Sequence, residues 1–262
     1  MSETPLGRFC WFDLMTLRPD EAPDFYGPVT GWGTMPFEGG EEPYLMWTNG
    51  EAPIGGMMEL SAEAIAAGAP PHWLAYISTP DVGGTATLAT KLGGSVMSEV
   101  DVPTVGSFAV VSDRDGAVFA AFQPIESTPG HDGVPDVGEF SWHELYTEDW
   151  ESAFDFYSRL FGWVKTDQMD MGERGIYQMF GREGQTLGGM MNRDPDMPPP
   201  MWMYYVRVAD IEAAAATVKD GGGSVWNGPM EVPGGDLVAH CTDPQGATFA
   251  LHSTAAPGAG LA

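Results

Sequence analysis

FYGPVTGW, residues 25–32, returns 131 residues later as FYSRLFGW, residues 156–163. Two further blocks repeat in the same order. PHWLAYISTPDV (71–82) returns as PMWMYYVRVADI (200–211), and SDRDGAVFA (112–120) as TDPQGATFA (242–250), at offsets of 129 and 130. A period this long describes two lobes of one design, since solenoid repeats run to about 20–50 residues. The 262 residues suffice for two domains of roughly 110–130 residues, each with a core of its own.

The surface is strongly acidic, with 37 Asp and Glu against 11 Lys and Arg, for a formal net charge of −26. Such a surface repels phosphate, so neither nucleic acid nor anionic membrane is expected as a partner. The acids are scattered and form no tail. No apolar run reaches the ~20 residues needed to span a bilayer, and MSETPLGRFC (1–10) is not a signal peptide, so a soluble cytoplasmic protein is expected. Cys10 and Cys241 make no CxxC pattern. Each is read as a free, buried thiol and not as part of a disulfide framework or thiolate metal site.

Four similar units follow along the chain. The first opens with the alternating run FCWFDLMT (9–16), which has the period of a strand. PDEAPDFYGPVTGW then reads as a short helix with Asp20 and Glu21 in its first turn and Gly31 near its end. Short strands are expected at PYLMWTN (43–49) and PIGGMMEL (53–60). The second unit opens at WLAYIST (73–79). Its helix VGGTATLATKLGG stops at Gly93 and Gly94, where a left-handed cap costs glycine little. Strands SVMSEVDV, SFAVVSD and AVFAAFQ complete it. The second lobe repeats the plan: strand FSWHELYT (140–147), helix EDWESAFDFYSRLFGW, and strands near IYQMFGR and TLGGMMN. After the loop DPDMPPP come strand MWMYYVRV, helix DIEAAAATVKDGGG, and strands SVWNGPMEV, DLVAHCTD and ATFALHS. Residues 125–138, rich in Pro and Gly and without periodicity, read as a linker. It divides lobes 8–124 and 139–253, with a tail at 254–262. Each unit reads β-α-β-β-β, and the class is α+β.

A β-α-β-β-β unit with FY near the helix end, then GW, and with D-P-x-G before its last strand resembles the vicinal oxygen chelate superfamily. That group includes glyoxalases, extradiol dioxygenases, bleomycin-binding resistance proteins and many proteins termed hydroxylases. The resemblance covers residues 8–253. It implies tandem units in pairs, each pair forming a curled mixed sheet around a cavity. Two lobes then hold two cavities. It also implies a divalent metal that chelates two substrate oxygens, held by imidazole and carboxylate with an open coordination position. The family's opening-strand His falls fourteen residues before the Phe of FY, here Trp11 and Trp142. The ligand on the paired strand falls near Leu74 and Met203, and the acid on the last strand at Ala120 and Ala250. None of these ligates such a metal, so the usual metal site is expected to be absent from both lobes, and no cofactor is implied.

The five histidines, at 72, 131, 143, 240 and 252, show no H-x-H or H-x-x-x-H spacing. His131 lies in the linker. His143 alternates out of phase with Trp142 and Glu144 and is expected to face the helix layer. His252 is in phase with Ala250 and can face the second cavity, although a structural role fits each histidine better. A relocated ligand set of Glu144, His252 and His240 is conceivable, without support from spacing.

The cavity-facing positions of the first lobe read Trp11, Asp13, Tyr76 and Phe122. In the second they read Trp142, Glu144, Tyr146, Tyr205, Arg207 and His252. Met57–Met58 and Met190–Met191 follow glycine pairs at matching places, and Met58 and Met191 are taken as lining residues. Aromatic walls, flexible Met and a few polar groups suit a small planar ligand; the alternative is that they simply fill each core. Asp13 and Glu144 stand at equivalent places on an otherwise apolar face. A carboxylate there is paired, hydrogen-bonded or raised in pKa, and a raised one can serve as general acid or base. Arg207 could instead neutralise Glu144, and Ser78 offers the first lobe no such cation.

The expected function is therefore a glyoxalase- or bleomycin-resistance-like protein that binds a small aromatic or planar molecule without metal. The alternative is an enzyme of the same superfamily, a lyase, isomerase, hydroxylase or dioxygenase. It would use Asp13 or Glu144 without metal, or relocated metal ligands. Both lobes lie in one chain, so a monomer is expected, or a homodimer through exposed strand edges.

Overall fold

The structure, a computed structural model, describes residues 4–39 and 44–254. Pro43, with which one expected strand opens, and the tail at 255–262 lie outside the described residues. The first lobe runs β1 (Phe9–Thr16), α1 (Ala22–Thr30), β2 (Gly33–Pro36), β3 (Leu45–Asn49), β4 (Ala52–Glu59) and the short α2 (Ala62–Ala66). It continues with β5 (His72–Ser78), α3 (Val82–Lys91), β6 (Ser95–Val102), β7 (Gly106–Ser112) and β8 (Val118–Pro124). The second lobe runs β9 (Phe140–Thr147), α4 (Trp150–Phe161), β10 (Val164–Asp170), β11 (Ile176–Arg182) and β12 (Gln185–Asn192). It ends with β13 (Met201–Arg207), α5 (Ile211–Asp220), β14 (Ser224–Glu231), β15 (Leu237–Thr242) and β16 (Thr248–Ser253). No helix among the described residues is long and apolar enough to cross a membrane.

Each lobe forms one eight-stranded mixed sheet, in the orders β2-β3-β4-β1-β5-β8-β7-β6 and β10-β11-β12-β9-β13-β16-β15-β14. The two opening strands of each lobe, β1 with β5 and β9 with β13, pair antiparallel at the sheet centre. β2 and β10 were not expected from the sequence. β2 is exposed throughout and β10 nearly so; edge strands with no buried face carry no alternation to read.

The helices follow local rules. Asp81, Asp149 and Asp210 each cap a helix by accepting backbone N–H groups of its first turn. Gly31 and Gly162 end α1 and α4 at φ 82° and 68°, a left-handed conformation that costs glycine little. α4 buries Ala153, Phe156, Tyr157, Leu160 and Phe161, the i, i+3, i+4, i+7, i+8 stripe of a one-sided helix.

That stripe packs across the lobe boundary. α1 packs on α5 and α3 on α4, so each lobe's first helix lies against the other lobe's last. One core runs between the sheets, and smaller clusters occupy the opposite face of each sheet. The repeated motifs build this boundary. Trp73 Nε1 donates to the Tyr26 hydroxyl at 3.1 Å, and Tyr26 donates to Asp243 Oδ2 of the other lobe at 3.1 Å. The second copy matches: Trp202 Nε1 donates to Tyr157 at 3.0 Å, and Tyr157 to Asp113 at 3.0 Å. Both aspartates use their other oxygen to hold the turn before the last strand, accepting N–H groups of Asp115, Gly116 and Ala117, or of Gln245 and Ala247. Burial raises the pKa of both, while these donors pull the other way. The GW tryptophans also cross over, Trp32 Nε1 to the Gly138 carbonyl at 2.6 Å and Trp163 Nε1 to that of Gly7 at 2.8 Å. In the linker, Asp132 is gripped by Arg8 of the first lobe and Arg182 of the second.

At the centre of the boundary Phe12 stacks on Phe140 with centroids 3.8 Å apart. The equivalent pair is Phe9 on His143 at 3.7 Å, so His143 holds the place of Phe12 and faces the core as expected. Its Nδ1 hydrogen-bonds the Leu187 carbonyl at 2.7 Å, and its Nε2 is buried without a partner. Burial lowers its pKa from 6.5 to about 4.

Two expectations follow. Replacing Tyr26 or Tyr157 by Phe strands a buried indole N–H and removes one donor from a buried carboxylate. Each change should cost about 1–3 kcal/mol, read as a lower urea midpoint at unchanged slope. For His143, the unfolded chain takes up a proton below pH 6.5 that the folded chain refuses until about pH 4. Stability should therefore fall as pH drops through that window, by roughly 3 kcal/mol at ~1.4 kcal/mol per pH unit. His143→Phe, the residue of the equivalent site, should flatten that part of the stability profile. A variant profile parallel to the wild type's would rule the assignment out.

Candidate functional site

The face of each sheet turned away from the common core is the face assigned to the cavity. In the first lobe it carries a carboxylate cage. Asp13, on the central strand β1, is 2 % exposed. Its Oδ1 accepts from Trp11 Nε1 at 3.0 Å and Tyr44 Oη at 2.5 Å, and its Oδ2 from Tyr76 Oη at 2.8 Å. Trp11 Nε1 also lies 2.8 Å from Tyr44 Oη. Burial raises the pKa of Asp13 above 3.8, opposed by the Tyr44, Tyr76 and Trp11 donors and by the Gly56 backbone.

The second lobe repeats the cage with one methylene added. Glu144 Oε2 accepts from Tyr146 at 2.5 Å and Tyr205 at 2.6 Å. Tyr177 also hydrogen-bonds Glu144 and accepts from Trp142 Nε1 at 2.7 Å. Trp142, Tyr177 and Tyr205 thus stand where Trp11, Tyr44 and Tyr76 stand. Beyond the shared parts, Tyr205 Oη is 2.8 Å from His240 Nε2, and His240 Nδ1 is 3.2 Å from Asn227 Nδ2. Burial, and next the neighbouring carboxylate, push the phenols of Tyr44, Tyr76, Tyr146, Tyr177 and Tyr205 above their ordinary range. They are hydrogen-bond donors at any ordinary pH.

Glycine makes the cages possible. A Cβ on Gly56 would lie 2.0 Å from Tyr44 Oη, and one on Gly189 2.1 Å from the Tyr177 ring. The neighbouring Gly55 and Gly188 admit the carbonyls of Phe12 and His143, to which a Cβ would come within 2.1 and 1.8 Å. Tyr44, Tyr177, His240 and Asn227 were not among the residues singled out from the sequence as lining a cavity. The matching glycine pairs were the signal for the two tyrosines. Nothing in spacing pointed to His240 bonded to Tyr205.

The remaining candidates fall as follows. Phe122 packs edge-on to Tyr76; Met191 is buried beside Tyr146 and Tyr205. Trp11 and Trp142 are half-buried, and Met58 is exposed. Arg207 does not neutralise Glu144. Its guanidinium reaches the linker carbonyl of Pro135 and Thr254 Oγ1. His252 is held by Ser141 Oγ at 2.8 Å and Asp236 at 3.1 Å. Clefts of about 130 and 330 Å³ lie along the lobe boundary.

The metal positions come together as counted. Trp11, Leu74 and Ala120 share the cavity face of the first lobe, and Trp142, Met203 and Ala250 that of the second. Indole N–H, alkyl and methyl groups have no lone pair to give, and one thioether does not make a ligand set. Among the described residues no group of three or more His, Cys, Asp or Glu is placed to hold a metal. The relocated set also fails: Tyr205 bridges Glu144 to His240, and His252 is engaged elsewhere. These residues do not fit the metal that the fold implies.

Residues 139–251 match the Glyoxalase/Bleomycin resistance protein/Dioxygenase superfamily. The glyoxylase-like protein CFP32 of Mycobacterium tuberculosis is 32 % identical over 256 residues, covering 95 % of this chain and 96 % of that protein. The anthracycline biosynthesis protein DauV of a Streptomyces species is 27 % identical over 268 residues, covering 94 % and 92 %. Among solved structures, the 2,3-dioxygenase LapB of Pseudomonas sp. KL28 superposes with a TM-score of 0.66 at 11 % identity, over 97 % of this chain and 94 % of that one. A Mn(II)-bound glyoxalase of Novosphingobium aromaticivorans gives 0.62 at 14 %, over 97 % and 83 %. These two likenesses concern the fold alone. With its fold, its duplicated lobes and a relative of this identity along nearly its whole length, the chain belongs to the glyoxalase/bleomycin resistance protein/dioxygenase superfamily.

Proposed function

We propose that this protein binds a small planar or aromatic molecule at the cavity faces of its lobes without a metal, as a cytoplasmic monomer or homodimer. The observation that carries this reading is the substitution of the ligand positions by Trp, Leu or Met, and Ala in both lobes, beside a retained Trp–Tyr–Tyr–carboxylate cage. Flat rings with a few fixed polar groups match flat ligands at low entropic cost. The likeness to an anthracycline biosynthesis protein also favours a flat polycyclic ligand. A second reading, metal-independent catalysis, draws on Asp13, whose raised pKa suits a general acid.

Titration of the protein in EDTA with anthraquinone, followed by tryptophan fluorescence and native mass spectrometry, tests the first reading. Saturable binding that survives the chelator is expected, and Trp142→Ala should weaken it about tenfold, or ~1.4 kcal/mol. Binding that needs added Mn²⁺ would defeat the proposal. For the second reading, Asp13→Asn and Glu144→Gln should abolish any turnover of a bound ligand while leaving its affinity within about threefold; turnover unaffected by either change would rule it out.

A further inference from the structure

Apart from its cage, the second lobe holds a serine, a histidine and a carboxylate in line. His252 Nδ1 lies 2.8 Å from Ser141 Oγ, and His252 Nε2 lies 3.1 Å from Asp236 Oδ2. A carboxylate only accepts, so Nε2 carries the proton of the neutral imidazole and donates to Asp236. Nδ1 is then a lone pair, to which the Ser141 hydroxyl donates. Nucleophile, general base and orienting carboxylate stand in that order in a catalytic triad. The two ring nitrogens are exchanged relative to serine proteases, but each edge of an imidazole can serve as donor or acceptor.

The duplication supplies an internal comparison. Ser141 is the extra residue where β9 shifts register against β13, as Cys10 is where β1 shifts against β5. Such bulges re-aim a side chain and recur beside active sites. His252 pairs with Val238 as Phe122 pairs with Phe108, which sets Asp236 at the place of Gly106. All three members therefore differ from their counterparts, and Cys10, Phe122 and Gly106 form no such line. The Cys10 thiol donates to the Tyr76 carbonyl at 3.3 Å, and burial pushes its pKa up to about 12. Only the hydroxyl has acquired a base, and the base a carboxylate. Ser141 is half-buried and lines the boundary cleft of about 130 Å³, together with Phe9, Phe12, Phe140 and Leu187. An apolar cavity of about 150 Å³ takes a benzene ring, so this cleft suits an acyl group near that size. The net charge of −26 disfavours anionic substrates.

We propose that Ser141, His252 and Asp236 form a hydrolytic site for small neutral esters at the lobe boundary, separate from the carboxylate cages. Ser141 Oγ attacks the ester carbonyl carbon and its proton passes to His252 Nδ1. The ester C–O bond breaks, and the leaving alcohol takes that proton. Water then attacks the acyl-serine, giving a proton to His252 that returns to Ser141 as the acid departs. Asp236 is a positioning residue, holding the imidazole with Nδ1 toward the serine. The test treats the full-length protein with phenylmethanesulfonyl fluoride, which sulfonylates an activated serine with loss of fluoride. One label per chain is expected, mapped to Ser141 by tandem mass spectrometry. p-Nitrophenyl acetate should give a burst of one nitrophenolate per chain, absent from the labelled protein and from Ser141→Ala. His252→Gln can still hydrogen-bond both neighbours but takes up no proton, and should slow labelling about hundredfold or more. Asp236→Asn should lower the acylation rate constant about tenfold with the half-saturating ester concentration unchanged. A label mapped elsewhere, the absence of label and burst, or labelling of Ser141 at an undiminished rate in His252→Gln would overturn the proposal. None of these results bears on ligand binding at the cavity faces.

Discussion

The Trp–Tyr–Asp relays across the lobe boundary are the constraint on which the rest of the molecule depends. Each joins a tryptophan and a tyrosine of one lobe to an aspartate of the other, and that aspartate organises the turn before a cavity-face strand. Removing any member leaves a buried polar group without its partner, a larger penalty than the net gain of an average hydrogen bond. The boundary therefore tolerates little sliding, and the sheets are held in one relative position. Helices that pack on the opposite lobe extend the same lock through Phe25 against Gly221 and Gly223, and Phe156 against Gly94.

The cavity faces obey the opposite economy. Isolated carboxylates in apolar surroundings are costly, yet both lobes keep one. Three side-chain donors to Asp13 and the tyrosines around Glu144 supply the compensation that water would otherwise give. The cages are fully built from the protein's own groups, with no imidazole cluster that would call for a metal. That the same four residues recur in both lobes, one with Asp and one with Glu, indicates that the cage is a unit and not a chance of packing.

Much of this was legible in the residues themselves. Alternation along 9–16 and 140–147 separated core from cavity, so Trp11, Asp13, Trp142 and Glu144 could be placed on one face, and His143 on the other. The ligand positions could be counted off the FY and D-x-x-G motifs because the duplication supplies its own ruler. Edge strands β2 and β10 were not legible, for want of any buried face. Tyr44 and Tyr177 were missed because they reach the cage from two strands away, across β4 and β12, over a gap that only the glycine pairs mark. Arg207 misled because phase along a strand gives the direction of Cβ, while a long side chain at a strand end follows its hydrogen bonds.

The motifs that betray the duplication turn out to be the seam of the molecule. A chain matched through FY, GW and D-x-x-G is matched by the way its halves are sewn together, and the chemistry inside each half is free to change without touching those stitches. Neither half could be shed or exchanged alone, because each would leave its tyrosine without the other's aspartate and lay a row of aromatic rings bare to water. The duplicated gene is in this sense a dimer that can no longer dissociate, and one whose two binding faces are released from the symmetry that a true dimer imposes.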